Sequence, residues 1–174
     1  IGVGSIGKAV VRRGVTAGMQ VLGYDINTLS NVVADETGFQ VVDIDHLLQT
    51  SDFISLNCNL TSSNWHMLGS REFSLMKDGV FIVNAARGPL IDESALVQAL
   101  KDRKVAGAAL DVFETEPLPS GSLLRRFDNC IFGTHNSSNT YDAVLRVNEM
   151  AVRNLLDGLD GKGTINLASH RIRT

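Results

Sequence analysis

Arg87, Glu116 and His135 lie far apart in the sequence, yet their types make a chemically complete set. An imidazole exchanges a proton near neutral pH, which suits it to general acid or base work. A carboxylate beside it fixes the ring tautomer. A guanidinium presents a bidentate fork to a substrate carboxylate. Together they would serve a proton transfer at a hydroxyl or carbonyl next to a carboxylate, provided a cofactor carries the hydride.

A place for that cofactor is legible at the start of the chain. Gly2-Val3-Gly4-Ser5-Ile6-Gly7 reads G-x-G-x-x-G, and seventeen residues (Lys8 to Tyr24) separate it from Asp25, which follows the apolar run Val21-Leu22-Gly23-Tyr24. Gly2 permits a tight turn out of a strand. Gly4 lets a pyrophosphate approach the backbone, and Gly7 lets the next helix pack closely on the sheet. The helix N-terminus offers free N–H groups to phosphates. Asp25 would bond a ribose 2′-OH and repel a 2′-phosphate, which favours NAD over NADP.

The elements that must position these residues follow from periodicity. A helix is predicted over Ser5–Ala17, with Ile6, Val10, Gly14 and Ala17 near one face. Strands are predicted at 19–24, 39–42, 52–56, 80–83, 105–110 and 130–133. The Val80–Val83 run reads as buried on both faces. Between them, Asp43 and Ser70 are suited to cap short helices. A helix at 92–102 turns Ala95, Leu96, Ala99 and Leu100 inward. Residues 27–38 read as loop or short helix, and 114–128 is the longest irregular stretch. A long helix over 140–157 places Val144, Val147, Ala151 and Leu155 on one face and ends at Gly158; a strand at 164–167 and a tail at 168–174 follow. Strands alternating with helices predict a doubly wound α/β fold with a parallel sheet, a Rossmann NAD-binding domain over 1–167. Only Ile1 precedes the fingerprint, so the sequence is expected to begin inside the first strand and to belong to a longer protein.

In such a sheet, ligands sit beyond the carboxyl ends of the strands. Asp25, Asn57, Arg87, Asp111, Glu116 and His135 all follow predicted strands. Each has a plain reading alone: a solvated arginine, loop chemistry before Pro117, a histidine bonding a carbonyl. Their shared edge behind a dinucleotide fingerprint favours the functional reading.

Composition narrows the classes. With 174 residues the chain can bury a sizeable core. Its net charge of −3 comes without a basic stripe, so nucleic acid has no electrostatic footprint. No apolar run has the length of a membrane span. Two cysteines, Cys58 and Cys130, are too few for a disulfide scaffold and read as buried reduced thiols, which fits a cytoplasmic setting. The four histidines show no ligand spacing, so no metal is expected.

The chain resembles the nucleotide-binding domain of the D-isomer-specific 2-hydroxyacid dehydrogenases, and is most similar to their D-3-phosphoglycerate dehydrogenase branch. The resemblance rests on the glycine fingerprint with Asp25, on Asn84-Ala85-Ala86-Arg87-Gly88 with Asp92 and Ala95-Leu96, on Ala108-Ala109-Leu110-Asp111-Val112-Phe113 with Glu116-Pro117, and on Thr134-His135. It implies hydride transfer between NAD(H) and a D-2-hydroxy acid or 2-keto acid, with 3-phosphoglycerate a candidate. Arg87 would bind the substrate carboxylate, and Glu116 would support His135 as catalytic residue. Asp111 would hold the nicotinamide carboxamide. Gly2, Gly4, Ser5, Ile6 and Gly7 would lie along the pyrophosphate, with Ala85, Ala86, Arg87 and His135 on the nicotinamide side and Ser138 nearby. It further implies a second, substrate-binding domain and a homodimer formed through the nucleotide domain. The chain departs from the family at Thr134, where Pro is usual, at Asn136-Ser137-Ser138-Asn139, and at Leu56-Asn57-Cys58-Asn59. These departures flank the substrate region and bear on which acid is used. Two other readings compete: an NAD(H)-responsive dehydrogenase-like corepressor, and a methyltransferase whose glycine loop would take S-adenosylmethionine. The second gives no reason for Arg87, Glu116 and His135 to occur together.

Overall fold

Alternating apolar segments and capped helices fold into parallel α/β structure. The structure, a computed structural model, describes residues 1–27 and 38–161. In chain order the elements are α1 (Ser5–Thr16), β1 (Leu22–Gly23), β2 (Gln40–Val41), α2 (Ile44–Thr50), β3 (Phe53–Leu56), α3 (Ser70–Leu75), β4 (Val80–Asn84), α4 (Glu93–Lys101), β5 (Val105–Leu110), β6 (Cys130–Phe132) and α5 (Tyr141–Leu159). Short 3₁₀ turns occupy Gly88–Leu90 and Leu123–Arg126. The elements divide into two units, Ile1–His135 and the segment from Asn136 onward.

In the first unit every strand pairing is parallel: β1 with β2 in one sheet, and β3-β4-β5-β6 in the other. The chain start joins them. The Ile1 amino group donates to Ser55 O, the Asn57 N–H donates to Ile1 O, and the Gly2 N–H donates to Tyr24 O. Ile1 and Gly2 thus occupy the position between β1 and β3 where the first strand of a doubly wound sheet runs.

Leu48, Ile54, Leu56, Leu68, Ile82, Leu90 and Leu96 pack the main core from α2, α4, the sheet and the connecting loops. Each such burial contributes about 1.5–3 kcal/mol. A smaller cluster of Val3, Val11 and Phe39 seats α1. Asp43 caps α2 by accepting the His46 N–H, and Asp92 caps α4 by accepting from Ser94 and Ala95.

Several expectations are corrected. α1 buries Gly7 and Val11, while Ile6 and Val10 are exposed. Close contact between Gly7 and the glycine loop turns the helix so that Val11 and Val15 lie inward. β4 is not covered on both faces: Val80, Ile82 and Asn84 are buried, whereas Phe81 and Val83 are exposed and Phe81 stacks on Phe53 at 5.2 Å. The cap of α3 is Gly69, whose N–H is taken by the Glu72 carboxylate; Ser70 is already helical. β1 keeps only two paired residues of the predicted 19–24.

The second unit is α5, capped by Thr140, whose hydroxyl accepts the Ala143 N–H. The helix continues through Gly158 to Leu159, past its expected end. Val144, Val147, Ala151 and Leu155, expected on one face of this helix, are all exposed. The strand expected at 164–167, the tail, and most of the 27–38 stretch lie outside the described residues. Among the described residues no helix is long and apolar enough to cross a membrane.

Candidate active site

The glycine loop comes first because its shape is dictated by contacts. Gly2 has φ +84°, and a Cβ there would lie 2.6 Å from the Cys58 nitrogen. A Cβ on Gly7 would lie 2.0 Å from the Gly2 carbonyl oxygen. Gly7 is therefore needed for the loop to close on itself, not only for helix against sheet. A Cβ on Gly4 would meet nothing within 4 Å, so this residue faces open space. Gly4 caps α1 with no side chain, and Ser5 and Ile6 are exposed at the helix start. The first-turn N–H groups are thus presented to a ligand. A pyrophosphate fits this cradle.

Asp25 closes the loop from the side. One carboxylate oxygen accepts the Val3 N–H at 2.8 Å; the other accepts the Asn27 backbone and side-chain N–H at 2.9 and 3.0 Å. Burial pushes its carboxyl upward, but the hydrogen bonds from Asn27 and Val3 outweigh it and hold the group below its ordinary value. Asp25 is therefore an anion with lone pairs left for a ribose hydroxyl.

The strand ends meet through the main chain. The Asp111 N–H donates to Asn84 O at 2.9 Å, and the His135 N–H donates to Asp111 O at 2.8 Å. The carboxyl ends of β4, β5 and β6 are thereby laced in one row. A Cβ on Gly133 would strike the Asp111 carboxylate at 2.0 Å, so Gly133 leaves room for Asp111 to sit, nearly buried, at the sheet edge.

His135 adopts φ +58°, the left-handed region that costs a non-glycine residue on the order of 1–3 kcal/mol. Two bonds hold it there: its N–H to Asp111, and its Nδ1 to Glu116 Oε2 at 2.8 Å. Glu116 uses its other oxygen to accept the Phe113 N–H at 3.0 Å. The His135 contact, then the Phe113 N–H, hold the Glu116 carboxyl below its ordinary value against the opposing effect of burial, and the charges of His135 and Arg87 act in the same direction. Because Glu116 is a carboxylate, it accepts and His135 Nδ1 carries the proton. Nε2 is left to work on a substrate. A cleft of about 660 Å³ opens beside the pair, walled by Asp111, Phe113, Phe132 and Thr134.

Arg87 is exposed at the tip of the loop after β4. That loop is shaped by Asn84, only 1% exposed, whose Oδ1 accepts the Ala86 N–H and whose Nδ2 donates to Arg87 O. Sequence reading placed Asn84 in a motif without giving it a task; a buried asparagine opening a tight N-x-x-R-G turn was the available signal. Replacing Asn84 by alanine leaves the Ala86 N–H without its partner and Arg87 O with the Leu90 N–H alone, which is expected to cost about 1–3 kcal/mol. Urea unfolding should show a lower midpoint at unchanged slope.

Ala85 and Ala86 flank the same loop. Asn57 turns back on its own strand, its amide bonded to Ser55. Ser138 belongs to the second unit. Both cysteines are free and half-buried, and burial pushes both thiols up, as expected for unreactive groups. One histidine has acidic neighbours in the fold. His66 meets Asp92 and Glu114, brought together from three separate loops, so no local spacing could have announced it.

Residues 1–137 match the model of the D-isomer specific 2-hydroxyacid dehydrogenase NAD-binding domain. A glyoxylate reductase of Thermofilum pendens is 40% identical over 162 residues, spanning 93% of this chain and 48% of that protein. A D-3-phosphoglycerate dehydrogenase of Archaeoglobus fulgidus is 39% identical over 172 residues, spanning 97% of this chain and 32% of that protein. The crystal structure of a glyoxylate reductase from Paecilomyes thermophila superposes with a TM-score of 0.87 at 38% identity, covering 94% of this chain and 49% of the other. The chain thus spans half or less of the length of these relatives. Fold, glycine loop and strand-end row agree with these likenesses: the chain belongs to the D-isomer specific 2-hydroxyacid dehydrogenase family and carries its NAD-binding domain.

Proposed function

We propose that the protein carrying this chain is an NAD-dependent oxidoreductase that interconverts a D-2-hydroxy acid and its 2-oxo acid. The observation that carries the proposal is the His135–Glu116 pair at 2.8 Å, set at the sheet edge that also bears Asp111 and the Arg87 loop. NAD supplies the hydride transfer. The glycine loop, with Ser5 and Ile6, receives the pyrophosphate, Asp25 the ribose, and Asp111 the carboxamide; Ala85 and Ala86 lie along the nicotinamide half. Arg87 holds the substrate carboxylate. His135 Nε2 takes the hydroxyl proton in oxidation and returns it in reduction, while Glu116 keeps the ring in the tautomer that can do so.

The substrate is a short acid of the glyoxylate, D-lactate or 3-phosphoglycerate kind. A turnover screen of glyoxylate, pyruvate and 3-phosphohydroxypyruvate with NADH tests this. Oxidation of NADH by at least one supports the reading; tight NADH binding without turnover on any 2-oxo acid would replace it with a corepressor-type binding protein. The family likeness also underlies our proposals of a homodimer through residues 1–167 and of a cytoplasmic location.

Asp25 yields a sharper expectation. Asp25→Ala should narrow the preference for NADH over NADPH by roughly tenfold, about 1.4 kcal/mol. Paired titrations with the two reduced cofactors would measure it, and an unchanged ratio would remove Asp25 from the ribose site.

A further inference from the structure

His66 stands where three loops meet, and no role in the proposed reaction accounts for it. It follows β3, has φ +52°, and is two-thirds buried at its side chain. Its backbone N–H donates to Pro89 O at 2.8 Å, next to Gly88 and Arg87. Two residues on, Leu68 bridges to Ile91: the Leu68 N–H donates to Leu90 O, and the Asp92 N–H donates to Leu68 O. The loop after β3 therefore lies along the Arg87 loop as a short parallel brace.

The imidazole extends the brace to the loop that carries Glu116. Nδ1 is 3.9 Å from Asp92 Oδ2, and Nε2 is 3.1 Å from Glu114 Oε1. Nε2 is sealed from solvent and makes no hydrogen bond, so its closeness to Glu114 is a charge contact out of line for N–H donation. Glu114 is laced to α4: its Oε1 accepts the Glu93 N–H at 2.8 Å, and Glu93 Oε1 accepts the Glu114 N–H at 2.7 Å. Burial pushes the Glu93 carboxyl up; the Glu114 N–H pulls it down and the Glu114 charge pushes it up again. Gly88 packs so tightly on this loop that a Cβ would lie 1.9 Å from the Phe113 carbonyl oxygen. Because the two ring nitrogens face different carboxylates, the geometry suits an imidazolium bridge better than a metal ion held by one nitrogen.

We propose that His66 is a positioning residue: protonated, it clamps the Arg87 loop to the Glu114–Glu116 loop and so sets the distance between the substrate-carboxylate site and the proton-transfer pair. The charged groups facing it are Asp92 and Glu114, the latter laced to Glu93; Trp65 lies against its ring at 5.2 Å. A neutral ring would leave Asp92 and Glu114 without their shared cation and loosen the clamp. The inference rests on the oxidoreductase reading only for its kinetic part.

The test uses the full-length protein, with His66→Gln, Glu114→Gln and the double variant. His66→Gln is expected to raise KM for the 2-oxo acid at least fivefold, with kcat and NADH affinity within twofold. The double variant should be no worse than His66→Gln alone, because the two side chains act as one unit. In the wild type, the amide resonance of Gly88 should follow protonation of the ¹⁵N-labelled His66 ring. A Gly88 resonance indifferent to that protonation overturns the proposal whether or not the protein turns over. Equal losses in kcat and NADH binding, additive with Glu114→Gln, also overturn it, since they would mark general destabilisation. If the wild type reduces no 2-oxo acid, the functional reading fails and the Gly88 resonance alone decides the clamp.

Discussion

Under the proposed reaction, replacing His135 by alanine is expected to lower kcat by about 10²–10⁴-fold in the full-length protein, the usual worth of a positioned general acid or base. NADH binding should change far less, because the glycine loop and Asp25 are built from other elements. The argument is geometric. Nδ1 is committed to Glu116, so a single nitrogen remains for the substrate proton. Glu116→Gln should give a smaller loss, since an amide can still meet Nδ1 but no longer enforces one tautomer. Acid should reach the pair late. The folded-state carboxyl of Glu116 lies below its ordinary value, so the stabilisation from the pair is complete above ordinary carboxylate values and fades only as pH falls through that lower value. Steady-state kinetics with single-turnover controls would check both variants. Unchanged kcat in His135→Ala would end the assignment.

The second large effect is expected from Gly7→Ala. The added methyl would lie 2.0 Å from the Gly2 carbonyl oxygen, which is main chain and cannot swing aside. Relief requires opening the loop or lifting α1 from Val3 and Phe39. Overpacking of this kind costs about 1–3 kcal/mol or more. NADH affinity should fall below detection because the cradle itself is deformed. Gly4→Ala is the matched control. Nothing lies within 4 Å of its Cβ, so melting should be unaltered while affinity drops, since the methyl stands where the phosphates approach. Calorimetry with NADH titration separates the two outcomes: equal melting and equal binding in both variants would contradict the loop geometry.

These contrasts show what a sequence can and cannot disclose. The type and order of the elements were readable because the 2-residue and 3.6-residue periods differ sharply and because Asp43, Asp92 and Thr140 announce helix starts. The convergence of Glu116 and His135 was readable too, since parallel strands put their carboxyl ends on one edge. The inward face of α1 was not, because Gly7, which buries no side chain, decides it by letting the helix rest on Gly2. Nor was the exposed face of β4, since a run of valine, phenylalanine and isoleucine looks alike whether one face or two are covered. His66 shows the same limit: its partners sit 26 and 48 residues away along the chain (92 − 66 and 114 − 66), on loops whose meeting depends on the whole sheet.

The row of main-chain bonds from Asn84 to Asp111 to His135 has a consequence for inheritance. Carbonyls and amides form those bonds whichever side chains they carry. Thr134 can therefore occupy the position before His135 that is usually proline in the family while the His135 N–H still meets Asp111. The residue at 134 can vary in this way without disturbing the His135–Glu116 pair. A scaffold wired in this way separates the part of the site that chooses a molecule from the part that reacts with it. Such a lineage can acquire new acids by small steps, each passing through a working enzyme.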